Sequence, residues 1–213
     1  MKNEASLKDA ICEALLEGIC TMDYRPGEIL TEKSLIEKFN CSKSPVREAL
    51  IALCADNVLR SIPRYGYEVV RLTMDDIREM LQFRLILEGG MLRERYARIS
   101  ASQLARLAEI DAKCKLATSD VWKHWEYNTE FHLKLMGFCG SNYALVELTR
   151  CMSRLKRAYA QFYWDKWDRE VPALDTRNHG RILACIENRD PEGIVECLRD
   201  DLNDFGGLEG FHA

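Results

Sequence analysis

The sequence has no long hydrophobic run. Nothing in its 213 residues approaches the roughly 18 consecutive apolar residues that a membrane helix needs. The opening stretch, MKNEASLKDA, lacks the apolar segment of a secretory signal. None of the nine cysteines stands in a CxxC pair. Together these absences favour reduced, mostly buried thiols over a disulfide framework, and a cytoplasmic protein. No Gly-rich phosphate loop, nucleophile motif or separate acid–base pair is present, so little remains from which to build an enzyme. There are no repeats and no low-complexity tracts. Charge of one sign is not in large excess either: the net charge of −4 excludes a whole-protein polyanion binder, and local charge matters more.

What is present is the composition of a globular protein, 47% hydrophobic and 30% charged, which is enough to bury a core. Ile11, Leu15, Leu16 and Ile19 recur at helical spacing over residues 7–21 and stop at the breaker Pro26-Gly27. Thr31 is a good N-cap for a short helix carrying Leu35, Ile36 and Phe39, and Asn40-Cys41-Ser42 reads as a tight turn. A third helix holds Pro45 in its first turn, where a missing N–H costs nothing, and turns Val46, Leu50 and Leu53 inward. The period then changes. Residues 58–62 and 67–71 are short β-type runs around Pro63-Arg64-Tyr65-Gly66, which predicts a two-stranded hairpin. Three helices and a hairpin make a winged helix-turn-helix, expected over residues 1–72.

From Thr73 onward every signal is helical. A long helix carries Ile77, Leu81, Leu85 and Met91 or Leu92 on its apolar face. Ser100-Ala101-Ser102-Gln103 is a capping box, Ser119-Asp120 opens a helix that reaches Phe138, and Gly140-Ser141-Asn142 separates it from one running to about Tyr163. Pro172 opens a helix to Asn188, Asp190-Pro191 starts the last one to about Phe205, and the end from Gly206 to Ala213 reads as frayed. The expected fold is therefore mostly α: the winged module, then an antiparallel six-helix bundle over residues 73–213.

The chemistry-bearing signal is strongest in the third helix. A recognition helix brings its N-terminal residues to base edges while its other face packs on the domain. Ser42, Lys43, Ser44 and Arg47 occupy the leading turn and exposed face. Arg can bond guanine bidentately, and Ser or Lys can meet phosphates or bases. Tyr65 and Gly66, at the hairpin tip, are placed to enter the minor groove. From Lys33 to Arg71 seven basic residues (Lys33, Lys38, Lys43, Arg47, Arg60, Arg64, Arg71) face four acidic ones (Glu37, Glu48, Asp56, Glu68), a local excess of three positive charges. Taken alone, such a helix reads more readily as a solvated surface with ordinary charges.

The string PGEILTEKSLIEKFNCSKSPVREALIAL, followed by RYGYEVV, resembles the N-terminal module of the GntR family of bacterial regulators. That family's pattern is roughly PGxxLxExxLAxxFGVSRxPVREALxxLxxxGLV, then xxGxxV. The resemblance covers about residues 7–71 and implies binding to a double-stranded DNA operator through Ser42, Lys43, Ser44, Arg47 and Gly66, to which the basic Lys33 and the hairpin-tip Tyr65 add further candidate contacts. Lys43 stands where Arg is usual, and Asn57 where Gly is common. Lys lacks the planar fork of Arg, which changes the contact available at that base.

In the second half, FRLILEGGMLRERYA, NTEFHLKL, GSNYALVEL and NHGRILACIENRDPEGIVECLRDDL resemble the helical FCD effector domain of the FadR branch of that family. Many members hold a divalent metal through Asp-x3-His on one helix, a His opening the penultimate helix and a His on the last. Carried over, these positions are Asn128, His132, His179 and Asp201, with Asn for Asp and Asp for the last His. One carboxylate and two imidazoles still suit Zn²⁺, Ni²⁺ or Mn²⁺, while an Asn carbonyl is a neutral, weaker ligand. The resemblance implies a homodimer and a small carboxylate effector, an organic or sugar acid, with Arg84 as its cationic partner. Other readings stay open. Each His can be a satisfied core residue, Arg84 a surface or interhelical salt bridge, and Cys197 core packing rather than a neighbour of Asp201 on a shared site face. The bundle can serve dimerisation without a ligand, or house a metal-dependent enzyme.

Overall fold

The computed structural model describes residues 6–117, 120–167 and 178–203, with side chains to residue 162 of the longest helix. It divides into two compact units: Met1–Thr73 with Lys156–Trp164, and Met74–Leu155 with Asp165–Ala213.

In the first unit, α1 (Leu7–Cys20) starts from a capping box between Ser6 and Asp9 and buries Ile11, Leu15 and Ile19. The helix α2 (Glu32–Phe39) begins at Thr31, whose side chain accepts from Ser34 N, and ends at Asn40 in the left-handed region, φ 47°. The helix α3 (Lys43–Ala55) buries Val46, Ala49, Leu50 and Leu53. These helices share one core with Leu30, Leu35, Leu59 and Val69. The hairpin consists of β2 (Leu59–Ile62) and β3 (Gly66–Val69), paired Leu59 with Val69 and Ile62 with Gly66. Beyond the expected two strands, Ile29–Leu30 (β1) adds a third on the other side of β3. Two residues are too few to show a period of two, so the pattern could not announce it. Asn57 adopts φ 52°, a conformation Gly reaches freely and Asn tolerates. Later in this unit Gln161 accepts from Leu72 N and donates to Val70 O, and Tyr159 is buried.

In the second unit the six expected helices are α4 (Met74–Arg95), α5 (Ala101–Leu116), α6 (Val121–Phe138), α7 (Asn142–Trp167, entering the first unit at Lys156), α8 (Asn178–Glu187) and α9 (Pro191–Leu202). A 3-10 turn over Tyr96–Arg98 precedes the Ser100–Gln103 capping box of α5. Asp120 caps α6, and Asp190 caps α9 with Pro at its first turn. The pairs α8–α9, α5–α6, α4–α9 and α5–α8 pack together. The buried face of α4 carries Ile77, Leu81 and Leu92, but also Arg84 and Glu88, while Leu85 and Met91 are half-buried. Of the aromatic residues, Trp122 and Trp125 are half-buried. The expected helix start at Pro172, Ser119, the side chains of Tyr163, Trp164 and Trp167, and the segment from Phe205 to Ala213 lie outside the described residues. Among the described residues no helix is long and apolar enough to cross a membrane.

Candidate functional sites: a nucleic-acid surface and a buried polar centre

The first candidate surface is built on the start of α3. Ser42 occupies the N-cap without making a side-chain cap bond, and no acidic residue lies in the first turn. The free N–H groups and positive end of this helix are therefore open to an anion. Lys43 and Arg47 are well exposed, their side chains 64% and 61% accessible. Ser44 donates to Glu48 (2.8 Å) one turn on. Lys33 is exposed at the start of α2, and Tyr65 is exposed at the hairpin tip.

Sequence reasoning missed the residue that joins these groups. Glu32, one position before the basic stretch that begins at Lys33, receives Lys43 Nζ at 3.2 Å and Arg47 Nε at 3.7 Å. Tyr67 of β3 donates to the same carboxylate at 3.4 Å. One acidic side chain thus ties together α2, α3 and the wing. Its signal was the Glu two positions after Leu30 in the module string, legible only as part of the pattern. Gly66 also has an internal reason. Its φ is +135°, and a Cβ there would come within 2.3 Å of the Leu30 carbonyl oxygen. Glycine is demanded by the approach of β1, whatever the hairpin tip touches.

The second candidate site lies inside the helical unit. His132 on α6, His179 on α8 and Asp201 on α9 bring one ligand atom each to within 4.8 Å of one another. The two rings are 5.3 Å apart, and His179 stacks on Phe131 at 3.8 Å. All three residues are buried. Asn128, one turn before His132, puts its Nδ2 3.4 Å from His179 Nε2; an amide turned end for end presents its carbonyl to the same point. The four expected residues therefore converge.

Two carboxylates that the sequence did not announce hold the rings. Glu88 accepts from His132 Nδ1 at 2.7 Å, and Asp111 lies 3.5 Å from His179 Nδ1. Such outer partners set the tautomer and aim the opposite nitrogen. Arg84 is neither a surface residue nor an interhelical bridge. It is buried and bonds Glu88 on its own helix, Nε to Oε1 at 2.7 Å, while its Nη2 has no hydrogen-bond partner among the described residues. Lys115 pairs with Asp111 at 2.6 Å.

These charges leave an imbalance. Arg84 offsets Glu88 and Lys115 offsets Asp111, so among the described residues Asp201 is left without a Lys or Arg ion pair of its own. His132 Nε2 lies 3.0 Å from Asp201 Oδ2 yet makes no hydrogen bond. A neutral His132 donating from Nδ1 would face that carboxylate with a lone pair. Only a proton or a bound cation between them relieves the repulsion. Burial opposes charge on His132, but the Glu88 and Asp201 carboxylates together outweigh it, and the imidazole titrates above its ordinary range. Burial likewise opposes ionisation of Asp201 and Glu88. The charge of His132 on the first, and of Arg84 and then His132 on the second, holds both below the usual carboxylate range.

Comparison with known proteins agrees with both halves. The model for "Bacterial regulatory proteins, gntR family" matches residues 7–69, and that for the FCD domain matches residues 79–204. The gluconate operon transcriptional repressor of Bacillus subtilis is 38% identical over 190 residues, covering 84% of this chain and 74% of that protein. The HTH-type transcriptional repressor RspR of Escherichia coli is 24% identical over 185 residues, covering 84% of this chain and 78% of that protein. Among solved structures, E. coli McbR/YncC superposes with a TM-score of 0.78 at 21% identity, over 97% of this chain and 99% of that one. A putative GntR regulator from Rhodococcus sp. RHA1 gives 0.72 at 21% identity, over 96% and 99%. At these identities the two superpositions show the fold.

Proposed function

We propose, from the premise that this chain belongs to the gntR family of bacterial regulatory proteins and carries its FCD domain, that it is a cytoplasmic, homodimeric regulator whose operator affinity is set by a small carboxylate bound beside a divalent metal. The family is one of DNA-binding transcriptional regulators and not of enzymes. In the finer reading, residues 1–72 serve DNA, and residues 73–213 serve the effector and the dimer.

On DNA, α3 enters a major groove with Arg47 and Lys43 toward base edges. Ser42 and Ser44 meet phosphate, Lys33 adds charge, and Tyr65 and Gly66 lie at the minor groove. Two copies read the halves of a palindromic operator, since a two-fold protein matches a two-fold site. Dimerisation is supported by Phe83 and Ile86, 40% and 69% exposed along α4, with open space at Gly90 one turn on. Apolar groups on one helical face seek a partner.

The observation that carries the effector reading is the aim of the two imidazoles. Each turns one nitrogen to a carboxylate and the other toward Asp201. Asn128, His132, His179 and Asp201 would hold a Zn²⁺, Ni²⁺ or Mn²⁺ ion, which, when bound, supplies Lewis-acidic positions for a carboxylate. Arg84, whose Nη2 has no hydrogen-bond partner among the described residues, is the protein's own cation for that ligand. Likeness to a gluconate operon repressor supports a sugar acid as its class. The effector shifts DNA affinity only by binding one arrangement of the protein better than another.

Metal analysis of the untagged protein, purified without chelator, tests this. Near-stoichiometric Zn, Ni or Mn that is lost in His179→Ala, together with an operator gel shift altered by a sugar or organic acid, is the expected result. A metal-free protein, whose operator complex no carboxylate alters, would return the bundle to a purely dimerising role.

A further inference from the structure

The short hairpin between α8 and α9 places two thiols face to face. Cys185 Sγ and Cys197 Sγ are 3.9 Å apart. Other cysteines have different neighbours: the sulfurs of Cys12 and Cys151 point at backbone carbonyls, and Cys114 lies against His124. The turn that sets the two sulfurs opposite one another is firmly built. Arg189 takes a left-handed φ of 55°, Asp190 N donates to the Cys185 carbonyl at 2.9 Å, and Asp190 caps α9 through Gly193 N at 2.9 Å. A Cβ at Gly193 would clash with the capping Asp190 carboxylate and lie 3.0 Å from Cys185 Sγ.

We propose that Cys185 and Cys197 form an oxidisable dithiol site that hydrogen peroxide or an organic hydroperoxide closes to an intramolecular disulfide. Cys185 is half-buried while Cys197 is buried, so Cys185 is the sulfur a small oxidant can reach. Arg181, one turn before Cys185 and bonded to Asp200 at 2.7 Å, has its guanidinium within electrostatic reach of both sulfurs. Burial, and then the contact with Cys185, push the Cys197 thiol up to about 11, so Cys197 keeps its proton at neutral pH.

The chemistry balances. The Cys185 thiolate attacks a peroxide oxygen and the O–O bond breaks. Hydroxide leaves and is protonated to water (an alcohol from an organic hydroperoxide), and Cys185 becomes a sulfenic acid. The Cys197 sulfur then attacks the sulfenic sulfur. The S–S bond forms, the S–O bond breaks, and the leaving hydroxide takes the Cys197 proton to give a second water. Two thiols are oxidised and one peroxide is reduced. Asp201 lies one turn after Cys197 on α9, and His179 lies on α8. The new bond therefore pins together the two helices whose contact sets the His179–Asp201 spacing of 3.6 Å.

The test is peptide mapping of the full chain after brief treatment with a few equivalents of hydrogen peroxide and alkylation. Trypsin cuts after Arg181, Arg189 and Arg199, so residues 182–189 and 190–199 each carry one cysteine. The expected product is one species joining these peptides, two hydrogens lighter than their sum. The denatured thiol titre falls by two from nine, and reductant restores it. Cys185→Ser, with an unchanged melting curve, loses the linked species. Recovery of both peptides separately alkylated, or of Cys185 as sulfinic acid, or of either cysteine linked elsewhere, from protein that remains folded by circular dichroism, would overturn the proposal. This readout is independent of metal, effector and DNA, so it can fail or succeed apart from the functional reading above.

Discussion

Glu88 and Glu32 do opposite things with the same side chain. Glu88 is buried and bonds both Arg84 and His132. Removing one partner from such a set leaves an uncompensated buried charge, at a cost of about 3–5 kcal/mol. Glu88→Ala should therefore lower the melting temperature by on the order of ten degrees, and a thermal scan by circular dichroism checks it. A drop no larger than that of a surface substitution would mean that the network stores no stability. Glu32, by contrast, is partly exposed and holds Lys43 and Arg47 in solvent-facing pairs, which are worth at most about 1 kcal/mol. Its role is positional. Glu32→Gln should leave the fold intact, tighten binding to arbitrary DNA by a few-fold, and narrow the margin between operator and non-operator sequences. Gel shifts on both DNAs at two salt concentrations measure this, because phosphate contacts are the salt-sensitive ones.

Elements were legible where their signals are local. The capping box at Ser100, the Thr31 and Asp190 caps and the Pro191 start all appear where the sequence places them. A cap acts over three or four residues and needs no tertiary partner. The strand β1 was not legible, because two residues carry no period. On α4 the pattern pointed to Leu85 where the structure buries Arg84 and Glu88, since an apolar rule cannot see a charge that is buried because it is paired. Gly66 belongs to this scale too. Gly66→Ala meets both a positive φ and the Leu30 carbonyl and should destabilise the wing by more than about 1 kcal/mol. Faster hydrogen exchange at β3 amides, with α1 unchanged, is the expected signature; equal protection throughout would remove the steric argument.

For the whole molecule, association is the property on which the proposed operator reading depends. The exposed Phe83 and Ile86 on α4 predict that Phe83→Asp combined with Ile86→Lys halves the mass measured by light scattering. Operator affinity should fall with it, as one copy would reach only one half-site. A variant that keeps the parent mass would move the interface elsewhere.

By itself the sequence determined the two kinds of module, their order and the helix that presents Lys43 and Arg47, while the His and Asp that meet inside the bundle were named through the family resemblance. Patterning, capping and a dense module string are local properties, readable along one chain. The tertiary structure alone decided how those residues are held: Glu32 drawing Lys43 and Arg47 together, Glu88 and Asp111 behind the imidazoles, and Cys185 against Cys197. His132 meets Glu88 across 44 positions and Asn128 meets His179 across 51. Such pairings exist only once packed helices have removed the water that would otherwise satisfy each charge alone.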